Sequence, residues 1–321
     1  MDFLTEKSEL VKQYIAELKG KRKDPKGLFD PMHYILELGG KMIRPVLVQL
    51  GAELVGKSGK DVLPVAVGVE VFHNFTLVHD DIMDQADLRR GKPTVHKKWD
   101  LNTGILSGDV MMVQAFEEIC NAQHRVADVT KTFIQLAREV CIGQQMDMDF
   151  ETEEVVGVGD YLEMIRLKTA VLIGGALKMG VLAANGSDEA AEKAYSFGEK
   201  LGLAFQIQDD WLDLFGEFEK VGKTRGGDII AGKKTILIHE AMRKGVEPTV
   251  IESVLDVTKD NAGRVQQAHD VFEANGVKNS VRELVETKTH EAFSALEFDG
   301  FQAPAVEQLK SLGLWLMDRE N

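Results

Sequence analysis

Two stretches of this sequence end an apolar run in a group of carboxylates. One is Leu77-Val78-His79-Asp80-Asp81-Ile82-Met83-Asp84, and the other, far downstream, is Asp209-Asp210-Trp211-Leu212-Asp213. On a helix, residues four apart share a face. Asp80 and Asp84 therefore point the same way, and so do Asp209 and Asp213. Like charges this close, flanked by Leu, Val, Phe and Ile, are costly without something positive between them. A hard divalent cation bound by oxygen ligands suits them, and magnesium keeps free positions for substrate phosphates. A chain built this way must also supply groups that bind phosphate.

Basic groups occur in four places. Lys41 and Arg44 flank the break Gly39-Gly40-Lys41-Met42-Ile43-Arg44-Pro45. Pro45 fits the first turn of a new helix running to about Val55. The break reads either as a solvated helix joint or as an anion site at a helix N-terminus. Arg89 and Arg90 follow the first acidic set in Asp87-Leu88-Arg89-Arg90-Gly91-Lys92-Pro93-Thr94. They either complement the helix end or hold a diphosphate through bidentate guanidinium geometry. Lys168-Thr169 lies within the apolar helical segment Asp160 to Ala184, where a charged Lys needs a partner or a cavity. Lys223 and Lys233 belong to a glycine-bearing stretch around Gly222-Lys223-Thr224-Arg225-Gly226-Gly227-Asp228. That stretch is a connector or a lid that closes onto an anion.

The remaining sequence fixes the class. None of the segments shows sustained two-residue alternation, and the chain has only seven prolines. The fold expected is all-α: ten or more helices packed around a central cavity, in a single domain spanning residues 1–321. The two longest apolar stretches, Val62 to Val78 and Val171 to Ala184, read as buried core helices and not as membrane spans. A net charge of −14 argues against nucleic-acid binding and against a basic membrane-surface role. Cys120 and Cys141 lie in apolar helical patterns and read as reduced core thiols. The start, Met1-Asp2-Phe3-Leu4-Thr5-Glu6-Lys7, lacks the pattern of a signal peptide, so a cytoplasmic protein is expected. Lys19 to Asp30 reads as a loop, and Asp188 as a helix N-cap.

The quoted pieces, from Gly39-Gly40-Lys41 through Leu77–Asp84, Leu88-Arg89-Arg90-Gly91, Lys168-Thr169 and Phe205-Gln206-Ile207-Gln208-Asp209-Asp210-Trp211-Leu212-Asp213 to Gly222-Lys223 and Gly227-Asp228, follow a known order. Together they resemble the short-chain trans-(E)-isoprenyl diphosphate synthases of the polyprenyl synthetase family. The resemblance implies the isoprenoid synthase fold, a homodimer, and about three magnesium ions held by Asp80, Asp84, Asp209, Asp210 and Asp213. It implies an allylic diphosphate site of Arg89, Lys168, Thr169, Gln206, Lys223 and Lys233. It implies an isopentenyl diphosphate site of Lys41, Arg44, His73 and Arg90. Asp81 joins Asp80, Asp84, Arg89, Lys168, Thr169, Gln206, Asp209 and Lys223 in the catalytic set. In the family the proton is lost to the departed diphosphate, so no dedicated general base is expected.

Product length depends on the floor of the apolar cavity. Phe75 lies five residues before Asp80, roughly 7.5 Å down the helix. With Phe72 and the small Thr76 beside it, it would block a growing chain. The combination resembles a geranylgeranyl or farnesyl producer, with geranylgeranyl diphosphate favoured. A head-to-head synthase would not need Lys41 and Arg44. A carboxylate-bridged di-iron bundle needs two Glu-x-x-His motifs, and only Glu70-Val71-Phe72-His73 fits. A non-catalytic partner subunit usually lacks one aspartate set, and both are intact. The end of the chain, Leu316-Met317-Asp318-Arg319-Glu320-Asn321, is assigned no role.

Overall fold

The computed structural model of the chain describes residues 2–216 and 225–318. Lys223 lies outside the described residues, as do the last three positions of the chain. In chain order the helices are α1 (Asp2–Lys21), α2 (Lys26–Glu37), α3 (Ile43–Leu54), α4 (Leu63–Met83, entered through a 3₁₀ turn at Gly59–Val62), α5 (Val95–Lys98), α6 (Leu101–Cys120) and α7 (Val126–Thr152). Then come α8 (Val158–Ile165), a π-helical turn at Arg166–Ala170, α9 (Val171–Ala183), α10 (Asp188–Phe215) and α11 (Gly227–Ile230). The last are α12 (Ile236–Arg243), α13 (Pro248–Leu255), α14 (Asn261–Ala274), α15 (Val277–Ser294) and α16 (Ala303–Met317). The fold is all-α, as the missing two-residue alternation implies. The only sheet among the described residues is a ribbon of β1 (Leu88–Arg89) and β2 (Lys92–Pro93), with Leu88 opposite Pro93 and Arg89 opposite Lys92.

The chain divides into two compact units. The first holds residues up to Ile134 together with Gly175–Tyr195 and Phe298–Gln308; the second holds Gln135–Gly174, Ser196–Glu297 and the residues from Leu309 on. The first is organised around α4. This helix starts at Leu63-Pro64, with Pro tolerated in the first turn because its missing N–H has no intrahelical partner there. It is apolar nearly all round, the mark of a helix surrounded by others. Gly59–Met83 is long and apolar enough to cross a membrane, yet 67% of its most apolar window is buried inside the fold. Val65, Val69 and Phe72 of α4, Leu47 and Leu50 of α3, and Met111, Ala115 and Ile119 of α6 are all fully buried. Each such large side chain contributes about 1.5–3 kcal/mol on burial. Edge-on contacts of Phe133 with Phe72 (5.2 Å) and Phe116 (4.9 Å) extend this core.

The second unit packs α8, α10 and α12 through α15 around Tyr161, Ile165, Ile207, Leu214, Leu237, Ala241, Val254, Ala268, Phe272 and Val281. Its short helix α11 is held at both ends by side chains. The Asp213 carboxylate accepts bonds from the Gly227 and Asp228 N–H groups at 3.1 and 2.9 Å. The buried Arg264 guanidinium donates to the Ile229, Ile230 and Val254 carbonyls at 2.7–3.0 Å. Arg264 lies in the part of the sequence that shows no chemistry, and its task here is to tie together the C-terminal carbonyls of α11 and α13.

Several local expectations are corrected. The connector after α1 is short, because α2 already begins at Lys26. Pro45 is the third residue of α3, still within the first turn. The cap of α10 is Ser187, whose hydroxyl accepts from the Ala190 N–H at 3.2 Å, and Asp188 is the first helical residue. Cys120 and Cys141 are free and exposed, on the outward sides of α6 and α7. The apolar pattern of those helices spans more than their buried faces: Leu106, Val113, Ile134 and Ile142 are also exposed.

Candidate active site

The C-terminal turn of α4 separates its three carboxylates. Asp84 is exposed, and the Asp80 side chain keeps 21% of its surface. Asp81 points inward with 1% exposed. Its oxygens are taken by Arg89, whose Nε lies 2.8 and 2.9 Å from Oδ1 and Oδ2 and whose Nη2 lies 2.8 Å from Oδ1. The same Nη2 is 3.7 Å from Asp80 Oδ2. Asp81 therefore serves as the anchor that holds Arg89 beside Asp80, which is partly exposed, while Asp84 is exposed.

Arg89 and Arg90 are placed by the β ribbon. Its two-residue turn is Arg90-Gly91, with φ of 53° and 73°. Tight hairpins need the left-handed region at both central positions, which Gly meets easily and Arg does not. The strain at Arg90 lays its guanidinium on the Gly39-Gly40 break. A Cβ built at Gly40 (φ 151°) would stand 2.7 Å from Arg90 Nη2. A side chain there would push the guanidinium aside and strain the backbone. Arg44, from the first turn of α3, places Nη1 3.2 Å from His73 Nε2 on α4. His73 accepts this bond and is neutral: burial, then Arg44, Arg90 and Arg89, hold its imidazole well below the ordinary histidine range. Glu70, one turn earlier, is buried; burial raises its carboxyl, while the Asn74 amide (2.9 Å) and the nearby Arg44 and Arg90 oppose the rise. Arg44, His73 and Arg90 thus converge in one unit, with Lys41 exposed on the same break. Such a cluster suits an anion, with Glu70 as a deep counter-charge. The Glu-x-x-His pattern of Glu70 and His73 is absorbed by this cluster.

Further down α4, Phe75 is 9% exposed. Its ring lies 5.6 Å from that of Phe72 and edge-on to His79 at 4.8 Å. His79 is fixed in turn against α6, where its Nε2 lies 3.2 Å from the Ile105 carbonyl. Thr76 is half-buried and gives its hydroxyl to the His73 carbonyl at 2.8 Å. Phe72, Phe75 and His79 form one rigid aromatic wall below the carboxylates.

In the second unit the π-helical turn carries Lys168 and Thr169. A π turn inside an α-helix marks a local departure that often serves a site. It is pressed against α7: a Cβ at Gly143 would stand 2.3 Å from the Lys168 nitrogen. The Lys168 ammonium donates to Asp147 Oδ2 at 2.6 Å, and Lys233 lies 3.9 Å from the same oxygen. Thr169 donates to Gln206 Oε1 at 3.3 Å, and Gln206 Nε2 donates to Asp210 Oδ1 at 3.3 Å. The other Asp210 oxygen accepts from the Tyr161 hydroxyl and from the Ile236 N–H at 3.4 Å. Asp210 is 4% exposed and held inward. Burial and then Asp228 raise its carboxyl, and its three donors oppose them. Asp209, by contrast, is half-buried.

Asp147, Tyr161, Asp228 and Glu70 belong with these residues and are missing from the sequence-based set. A signal for Asp147 exists: Gln144-Gln145-Met146-Asp147 is a polar run inside a helical segment. Among the described residues no three His, Cys, Asp or Glu side chains already form a metal cage. The donor chemistry nevertheless fits a hard cation. Burial, Asp213, Asp147 and Asp209 push the Asp228 carboxyl up to about 6 against the pull of Lys233. A divalent ion would relieve that surplus of negative charge.

The sequence and the fold have counterparts among known proteins. The polyprenyl synthetase family model matches residues 25–272. The chain belongs to the polyprenyl synthetase family. It is 42% identical over 241 residues to a geranylgeranyl diphosphate synthase of Methanosarcina mazei, covering 73% of this chain and 74% of that one. It is 34% identical over 300 residues to a geranylfarnesyl diphosphate synthase of Natronomonas pharaonis, covering 88% and 86%. The crystal structure of a geranylgeranyl pyrophosphate synthetase from Pyrococcus horikoshii superposes with a TM-score of 0.92 at 33% identity, over 98% of this chain and 97% of that one. The fold of this polyprenyl synthetase is therefore the isoprenoid synthase fold.

Gly40→Ala tests the seat of Arg90. It is expected to weaken calorimetric binding of isopentenyl diphosphate by roughly tenfold, the loss of one charge-assisted bond. Unchanged affinity would show that Arg90 does not need this seat.

Proposed function

We propose that the chain is a chain-elongating trans-prenyltransferase that joins isopentenyl diphosphate to an allylic diphosphate, with geranylgeranyl diphosphate as its main product. One observation carries this reading. The first unit has two different groups of side chains suited to an anion: Arg89 clamped beside the carboxylates of α4, and the cluster of Arg44, His73 and Arg90, whose acidic neighbour Glu70 is buried. Two diphosphates, only one of which must leave, call for that difference.

In this reading Asp80 and Asp84, with Asp209 and Asp213, would hold magnesium, and Asp210 supports them from within the second unit. Bound magnesium supplies charge neutralisation for the leaving diphosphate. Arg89, Lys168 and Lys233 bind the allylic diphosphate by direct charge, with Lys223 assigned to the same task. The carbon–oxygen bond breaks with its electron pair on the diphosphate. Thr169 and Gln206 face the resulting allylic cation, and apolar walls keep water from it. Lys41, Arg44 and Arg90, with neutral His73, hold isopentenyl diphosphate so that its double bond forms the new carbon–carbon bond. The proton is then lost to the departed diphosphate.

Phe75 would end growth of the chain, since Phe72 behind it and His79 beside it leave it no room to swing away. A homodimer completes the proposal. The outward side of α6 carries Leu101, Ile105, Leu106 and Val113, each between 42% and 64% exposed. A second copy would cover this patch.

Purified chain given isopentenyl diphosphate, farnesyl diphosphate and magnesium is expected to form geranylgeranyl diphosphate. Phe75→Ala in the same assay should give longer products. No condensation with any allylic primer defeats the main reading, and an unchanged product distribution in Phe75→Ala defeats the floor. The pair Leu106→Glu and Val113→Glu is expected to shift the sedimenting species from dimer to monomer; a dimer that persists would place the contact elsewhere.

A further inference from the structure

Tyr161 stands one turn before the π-helical turn, on α8. It is 2% exposed, and its ring packs against His239 at 5.5 Å, tilted by 43°. Its hydroxyl donates to Asp210 Oδ2, an oxygen that also accepts from the Ile236 N–H at 3.4 Å. Among the described residues, the hydrogen-bond partners of Asp210 are all donors: Tyr161, Ile236 and the Gln206 amide.

With Asp210 ionised, this pattern sets which way Gln206 points. An amide has a donor end and an acceptor end. Asp210 Oδ1 accepts, so the NH₂ of Gln206 faces it at 3.3 Å. The Gln206 carbonyl oxygen is thereby turned to the Thr169 hydroxyl, also at 3.3 Å. Thr169 spends its proton on that bond and keeps lone pairs for whatever lies before it. The outcome is two oxygens with fixed dipoles at the place assigned to a developing positive charge. If the amide were reversed, its NH₂ would point there and oppose that charge.

We propose that Tyr161 is a positioning residue: through Asp210 it fixes the orientation of the Gln206 amide, so that the Gln206 and Thr169 oxygens face the carbon that loses its diphosphate. Preorganised dipoles of this kind act on the transition state without reorganising during the step. The group that Tyr161 orients acts on the carbon skeleton and leaves the diphosphate grip alone. Its loss should therefore lower kcat and spare binding. This inference rests on the prenyltransferase reading.

The test is Tyr161→Phe, which removes only the hydroxyl, alone and combined with Gln206→Leu. With farnesyl and isopentenyl diphosphates, Tyr161→Phe is expected to lower kcat roughly ten- to a hundredfold, as small misplacements of catalytic groups do. The KM for farnesyl diphosphate and the calorimetric affinity for magnesium and inorganic diphosphate should stay near wild type. In the Gln206→Leu background, Tyr161→Phe should have little further effect on kcat, because the group it orients is gone. A wild-type kcat in Tyr161→Phe overturns the proposal, and so does a fall in kcat that repeats in full on Gln206→Leu. A loss of diphosphate affinity parallel to kcat overturns it too, since that would make Tyr161 a general support of the unit. Wild-type chain that condenses no substrate overturns both this inference and the reading beneath it.

Discussion

Everything about this molecule depends on how it keeps negative charge at the ends of apolar helices. A carboxylate next to buried Leu, Val and Phe is tolerable only with a cation or a set of donors. The chain answers differently at each aspartate. Asp81 takes a guanidinium, and Asp210 takes a hydroxyl, an amide and a backbone N–H. Asp147 takes Lys168, with Lys233 close by. Asp80, partly exposed, and Asp84, exposed, stand at the end of α4, where a metal ion would offset their charge. The inward aspartates fix the framework so that the outward ones can serve the ligand.

The same logic places the cations. Arg89 is useful because Asp81 holds it, and Lys168 because Asp147 holds it. Arg90 reaches its position through a strained turn and a glycine that leaves space for its guanidinium. Glu70 tempers a cluster of otherwise positive and neutral groups. Arg89, Arg90 and Lys168 are thus held by the fold itself, which would reduce the ordering cost of binding an anion.

Much of this was legible in the sequence. Helical spacing gave the fold class, and the Asp-x-x-x-Asp spacing put paired carboxylates near the ends of α4 and α10, but did not show that Asp213 would cap α11. Lys168 in an apolar segment announced that it needed a partner, but not that the partner would be Asp147, well upstream on another helix. Tyr161 and Arg264 gave no signal, since a buried Tyr or Arg acquires its meaning from what the fold packs against it. The ribbon at Arg89 and Arg90 was invisible because its strands are two residues long. Exposed Cys120 and Cys141 show the opposite failure: an apolar neighbourhood in sequence does not tell which side of a helix faces inward. The lysine of the Gly222–Asp228 stretch falls outside the described residues, so its role rests on family resemblance alone.

If the carboxylates at the end of α4 are half of a site completed by a divalent cation and a diphosphate, a diphosphate must bind far better with the cation present. Calorimetric titration of the chain with an unreactive thiolo analogue of farnesyl diphosphate, with and without magnesium, tests it most directly. Binding is expected to be strongly enhanced by magnesium, with the enhancement lost in Asp80→Asn. Binding of equal strength with and without magnesium, or an enhancement that survives Asp80→Asn intact, would contradict it.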